Sequence, residues 1–175
     1  QGMLDPPRKE VKKAIEECRT AGIKVKMLTG DSLLTAEAIA KMISLDVNSI
    51  EGSELEKFSE EDFNIAVKEK TIFARITPEL KLKIIQSLRK QKEIVAVTGD
   101  GVNDILALKE AHIGVSMGIR GTDVARDVSD IILLDDNFNS IVQAVREGRR
   151  VYDNMKKSIK FNLAANVGEL VIVLA

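Results

Sequence analysis

Tryptophan is absent from this chain, and tyrosine, cysteine and histidine occur once each. Aromatics make up only 3% of the residues, which argues against a platform for stacking nucleic-acid bases. A net charge of −1 removes the polybasic signature of a nucleic-acid binder, so no nucleic-acid partner is expected. The lone Cys18 makes no internal disulfide. It falls on a helical pattern and reads as a small core residue. His112 precedes an apolar run, has no evident metal-binding or catalytic partners, and reads as structural. No proline follows Pro78, so nothing obliges a late helix to break. No signal-peptide pattern opens the chain. No apolar run reaches the roughly 20 residues that span a bilayer. The nearest, Leu163–Ala175, is interrupted by Asn166, Gly168 and Glu169 and reads as a buried helix or the first turns of a cut-short membrane helix. Both ends of the sequence are abrupt and read as the inside of a longer protein.

What remains is an ordinary globular composition, 45% apolar and 30% charged, of a length that suits one domain with a real core. Asp5-Pro6-Pro7-Arg8 leads into Val11, Ala14, Ile15, Cys18 and Ala21 at helical spacing, with Gly22 as the stop. Ile23–Leu28 reads as a strand ending in Thr29-Gly30-Asp31-Ser32, followed by a helical face of Ala36, Ile39, Ala40 and Ile43. Ile50–Lys70 is polar and acidic and reads as a loop plus a short helix anchored by Phe58, Phe63, Ile65 and Val67. Thr71–Ala74 is a short strand, and Pro78 opens a helix with Leu82, Ile85 and Leu88 on one face. Strands are expected at Glu93–Thr98, Ile113–Ser116 and Ile131–Leu134, with helices at Asn103–Ala111 and Thr122–Val128. Asp135-Asp136-Asn137 caps a long helix from Phe138 into the apolar tail. A basic cluster, Arg149, Arg150, Lys156, Lys157 and Lys160, precedes that tail and fits either a cytoplasmic membrane boundary or a solvated face. Alternating strands and helices predict an α/β fold with a mostly parallel sheet and right-handed connections.

The stretch Val95–Leu108 concentrates the chemistry. An apolar run ends in Thr98-Gly99-Asp100-Gly101, with Asn103 and Asp104 close behind. Glycines let backbone approach a phosphate, and hard carboxylate oxygens suit Mg²⁺. The carboxyl ends of parallel strands are where open α/β sheets bind ligands. A second Thr-Gly-Asp corner at Thr29 makes the pattern more informative, although each corner alone also reads as a common helix N-cap. Lys81 follows a strand end closely enough to reach such a site; otherwise it and Lys83 are a solvated helix face.

Met27–Asp31 (MLTGD), Thr98–Asp104 (TGDGVND) and Leu133–Phe138 (LLDDNF) together resemble the phosphorylation domain of P-type cation-transporting ATPases, in the haloacid dehalogenase superfamily. Leu4–Arg8, Phe73–Arg75 and Asn166–Glu169 match as well and point to the calcium-pump branch. The resemblance covers almost the whole chain and implies a Rossmann-like haloacid dehalogenase fold. By resemblance Thr29 holds the transferring phosphoryl group, and Gly30 and Asp31 share its nucleotide- and phosphate-contacting corner. Arg75 touches the nucleotide, and Lys81 offsets charge on an aspartyl phosphate. Asp100 ligates Mg²⁺, while Asn103 and Asp104 hold the phosphoryl group and support the metal site. Asn166 and Glu169, three apart on one helix face, offer oxygens to the transported cation, Ca²⁺ by this branch. ATP is the implied substrate. Ile105-Leu106 stand where the family has Ala-Pro, which should mildly change the helix start.

The family's phosphorylated Asp is missing. The resemblance therefore implies the carboxyl-terminal part of a phosphorylation domain at 1–137, a stalk-like helix at 138–162 and the start of a transmembrane helix at 163–175. The implied partner is the rest of a pump: nucleophile strand, nucleotide-binding and actuator domains, and membrane helices. The parent would be a membrane protein with this domain on its cytoplasmic side, and the chain alone would be inactive. The family places the nucleophile strand between the strands ending at Leu28 and Thr98. Without it, those two strands either close on each other or leave a gap for a partner. Two other functions suit the same fold: a stand-alone phosphatase, which would need a nucleophilic Asp where Asp5 is followed by Pro-Pro-Arg, and a non-catalytic binding domain.

Overall fold

A computed structural model of the chain describes the backbone of residues 9–174 and the side chains of residues 10–167. Asp5, Pro6, Pro7 and Arg8, with the motif they carry, lie outside the described residues. Two compact units emerge, Gln1–Asn139 and Ser140–Ala175.

The first unit alternates helix and strand: α1 (Lys9–Thr20), β1 (Met27–Leu28), α2 (Leu33–Met42), β2 (Ser49–Glu51), α3 (Gly52–Leu55), α4 (Glu60–Glu69), β3 (Ile72–Ala74) and α5 (Pro78–Lys90). Then come β4 (Ala96–Gly99), a 3₁₀ turn (Val102–Asp104), α6 (Ile105–Glu110), β5 (Ile113–Met117), α7 (Asp123–Val128) and β6 (Ile131–Leu133). Every strand pair is parallel. The strands form two three-stranded sheets, ordered β1-β3-β2 and β4-β5-β6. Among the described residues β1 bonds only β3 and β4 only β5, so the strands that end at Leu28 and Gly99 do not close on each other. Of the two arrangements expected, closure is the one that does not form.

Period-two alternation builds the core of the first sheet. Phe73 on β3 faces one way, into a cluster with Ile50, Leu80, Ile84, Ile85 and Val95. Its neighbours Ile72 and Ala74 face the other way, against Ile15, Ala36 and Ala40. The first cluster also takes in Ala107 of α6. The central helix α5 is therefore packed with parts of both half-sheets. It buries Leu80, Ile84, Ile85 and Leu88, a face turned slightly from the expected Leu82–Ile85–Leu88 line. Thr77 caps it by accepting from Leu80 N–H at 3.2 Å, and Pro78 occupies the first turn.

Three sequence expectations need correction. The stretch Ile50–Lys70, expected as a loop plus one short helix, opens inside the strand β2 (Ser49–Glu51) and holds two helices; Ile50 is the strand's one buried apolar residue, too short a signal for alternation. Of the expected anchors Val67 is buried, but Ile65 is half exposed, and Ala66 faces the core in its place. The strand expected over Ile23–Leu28 shortens to Met27–Leu28. Cys18 is buried, where loss of hydration pushes its thiol pKa up. His112 Nδ1 accepts from Val95 N–H at 3.2 Å, a structural contact at the start of β4.

In the second unit, α8 (Phe138–Leu174, begun in the first) continues as a single helix. Among the described residues no helix is long and apolar enough to cross a membrane.

One buried and one half-buried polar group generate predictions. Ser116 on β5 is fully buried, and its hydroxyl has no hydrogen-bond partner among the described residues. Ser116→Ala should raise stability by about 1 kcal/mol in urea unfolding, because an unpaired buried hydroxyl costs roughly that much. Lys26 donates to the carbonyl of Lys68 at 3.0 Å and to that of Lys70, and lies 5.8 Å over the Phe73 ring. Burial, helped by the charge of Lys24 and opposed by Glu93, lowers its pKa to about 8. An unfolded lysine titrates near about 10.4, so between these values the unfolded chain binds the extra proton. Stability should rise with pH through that window, and Lys26→Met should remove this rise when unfolding is measured at pH 8 and pH 10.

Candidate functional site

The strand ends Leu28 and Thr98 open into one cleft of about 430 Å³. Thr29, Gly30, Lys81, Asp100, Asn103 and Asp104, all singled out in the sequence, line it. Thr98 and Gly99 of the same corner line it as well, and Ile76, Pro78 and Met117 join them unanticipated. Met117 comes from the far end of β5, a position that only strand pairing brings near.

The corner at Gly99–Asp104 is built around Asp104, which is only 8% exposed. Its Oδ1 takes an ion pair from Lys81 Nζ. Its Oδ2 accepts the N–H groups of Asp100 at 3.3 Å and Gly101 at 3.4 Å. Both oxygens are thus engaged within the protein. Gly99 makes this possible, since a Cβ there would lie 2.8 Å from Asp104 Cγ. Asp100 is exposed, and its carboxylate has no side-chain partner among the described residues. A 3₁₀ turn rather than α-helix carries Asn103 and Asp104, and α6 begins at Ile105, where the resemblance marks a departure from Ala-Pro.

The opposite corner is tied to itself. Thr29 Oγ1 donates to Asp31 Oδ2 and accepts from Asp31 N–H, both at 3.1 Å. Ser32 caps α2 by accepting from Thr35 N–H at 3.3 Å. The turn after β3 fixes this corner through Arg75 N–H to Asp31 O at 2.9 Å and Ile76 N–H to Thr29 O at 3.0 Å. Arg75 adopts φ 51°, a left-handed conformation costly for a non-glycine residue and often met at functional sites. Its exposed guanidinium pairs with Glu51 at 3.6 Å. Arg75 and Asp31 border the cleft rather than line it.

The donors around the cleft are of the kind that suits Mg²⁺. Asp100 offers a free hard carboxylate, Asn103 an amide oxygen, and Asp104 lies one hydrogen bond behind. Among the described residues no group of three or more His, Cys, Asp or Glu comes together. Mg²⁺ commonly takes one or two protein carboxylates and completes its shell with water and phosphate. The residues present fit part of such a shell. Asn166 lies exposed on α8 in the second unit, and the side chain of Glu169 is outside the described residues.

A family model for haloacid dehalogenase-like hydrolases matches residues 2–112. The chain is 51% identical over 99% of its length to a calcium-transporting ATPase of Bacillus subtilis, covering 20% of that protein. It is 47% identical to an endoplasmic reticulum-type calcium-transporting ATPase of Arabidopsis thaliana, over 97% of this chain and 17% of the relative. Among solved structures it resembles a zinc-transporting PIB-type ATPase, with TM-score 0.67 and 31% identity over 87% of this chain and 21% of that one. The chain thus spans about a fifth of the length of the relatives it matches. The parallel half-sheets, the paired Thr-Gly-Asp corners and the matched family model lead to one conclusion: the chain belongs to the haloacid dehalogenase-like hydrolases, and its relatives are cation-transporting ATPases.

Proposed function

We propose that the chain is the carboxyl-terminal part of the phosphorylation domain of an ATP-driven cation pump, with Ca²⁺ as the transported ion. The observation that carries this reading is the convergence of Thr29, Lys81, Asp100, Asn103 and Asp104 on one cleft between two unpaired strand edges. Residues 1–137 supply the site, 138–162 a stalk-like helix, and 163–175 the start of a membrane helix, with the site on the cytoplasmic side. The remainder of the pump, including its nucleotide-binding and actuator domains, its membrane helices and the strand bearing the phosphorylated Asp, is the partner. That strand lies between β1 and β4. The names of the relatives support calcium, and Asn166 and Glu169 supply its oxygen ligands.

In the reaction, an Asp oxygen of the partner strand attacks the γ-phosphorus of ATP. One P–O bond forms as the bond to ADP breaks, and water later cleaves the acyl phosphate to release phosphate. Asp100, with Asp104 behind it, would hold Mg²⁺, which would neutralise charge on the phosphoryl oxygens. Thr29, its hydroxyl turned away from Asp31, and Asn103 donate hydrogen bonds to those oxygens, and Lys81 adds a fixed positive charge. Gly30 and Asp31 shape the phosphate corner, and Arg75, released from Glu51, contacts the nucleotide. The relatives are transporting ATPases, which weighs against a stand-alone phosphatase or a non-catalytic binding domain.

The purified chain with Mg²⁺ should not turn over acetyl phosphate. Adding the missing segment should restore a hydroxylamine-labile phosphoprotein, and Asp100→Ala should abolish it. Turnover by the chain alone, lost in Asp100→Ala, would instead establish a stand-alone hydrolase. Lys81→Met should lower phosphorylation of the reassembled domain by about 10²-fold, the scale of one lost stabilising donor. It should also destabilise the chain by about 3 kcal/mol, because Asp104 is left charged and buried without its cation. Adding Asp104→Asn should recover part of that stability in urea unfolding.

A further inference from the structure

Asp100 is held at both of its backbone polar groups. Its N–H donates to Asp104 Oδ2, and its carbonyl accepts from Thr122 N–H at 2.9 Å. The second hold comes from the turn after β5, Gly118–Thr122. Little apolar packing secures that turn, since Ile119 is 73% exposed. Two charged side chains secure it instead. Asp136 accepts Ile119 N–H at 3.0 Å and Arg120 N–H at 2.9 Å, one on each carboxylate oxygen. Arg126 Nη1 donates to Gly118 O at 3.0 Å and Gly121 O at 2.6 Å. The turn is drawn in so far that a Cβ on Gly121 would overlap Met117 O.

Asp136 reaches this geometry at φ 50°, a conformation that costs a non-glycine residue about 1–3 kcal/mol. Its carboxyl is held below the usual range, chiefly by the Ile119 amide, against the opposing effect of burial. A connection between two strands does not by itself need a buried acid in a strained conformation and an arginine gripping two carbonyls. What the pair achieves is a fixed position for the Thr122 amide. We propose that Arg126 and Asp136 are positioning residues: they set the Gly118–Thr122 turn so that the Thr122 amide fixes the Asp100 peptide and aims its carboxylate at a divalent cation in the cleft. The inference rests on the reading of Asp100 as a metal ligand.

The link runs through one N–H, which a proline removes. Thr122 has φ −68°, already that of proline. Thr122→Ala is the matched control, because it removes only the hydroxyl that accepts from Ala125 N–H and caps α7. The probe is Mn²⁺ added to the ¹⁵N-labelled chain, read as the concentration that half-broadens the amide signals of residues 98–104, with melting followed for each variant. Thr122→Pro should raise that concentration about tenfold over Thr122→Ala, the scale of a lost outer-shell partner. Arg126→Gln and Asp136→Asn should raise it similarly, and Arg126→Lys, which keeps a cation for the two carbonyls, should recover most of the binding. Equal Mn²⁺ response in Thr122→Pro and Thr122→Ala would overturn the positioning role. If Asp100→Asn broadens like the unaltered chain, the metal reading of Asp100 fails, and the positioning role with it.

Discussion

The carboxylate of Asp104 ties the site together. One oxygen meets the Lys81 ammonium brought in by α5, and the other collects the amides of Asp100 and Gly101. A buried ion pair is only tolerable when its remaining valences are met, and here they are met by the backbone of the corner itself. The pair therefore does two things at once. It locks α5, the helix packed with parts of both half-sheets, to the end of β4. It also shapes the Gly99–Asp104 turn so that the Asp100 carboxylate is left outward and unpaired.

Among the described residues the strands form two sheets, and β1 and β4 each keep one unpaired edge. Unpaired edges of apolar strands are an association hazard in any isolated chain. In the proposed pump the strand that carries the reacting carboxylate lies between them. Phosphoryl transfer asks mostly for positioning and charge, and the described residues offer both: a free carboxylate, a fixed lysine and hydroxyl and amide donors around a common cleft. They do not offer a nucleophile placed among them.

Much of the fold was legible because its signals are local. Helical spacing at Val11–Cys18, the Thr77-Pro78 start of α5 and the apolar runs before each Thr-Gly-Asp corner are written in neighbouring residues. The failures share a cause. β2 carries one buried apolar residue and takes its identity from pairing with β3. Ile65 looks like an anchor in sequence, yet the face of α4 that meets α5 is set by packing and turns it outward. Asp136, expected only in the cap of α8, also has its carboxylate on amides of the turn after β5, sixteen and seventeen positions earlier in the chain.

The sequence by itself determined the α/β alternation, the parallel strands, the two corners and the identity of the residues that meet there, because turn chemistry, capping and the carboxylates themselves are encoded within a few positions. Only the tertiary structure decided which of those residues act together. It joined Lys81 to Asp104, left Asp100 free, kept Arg75 and Asp31 at the border of the cleft, and added Met117 and the Thr122 amide. Those choices depend on strand register, helix packing and the geometry of distant hydrogen bonds, which no local stretch of sequence contains.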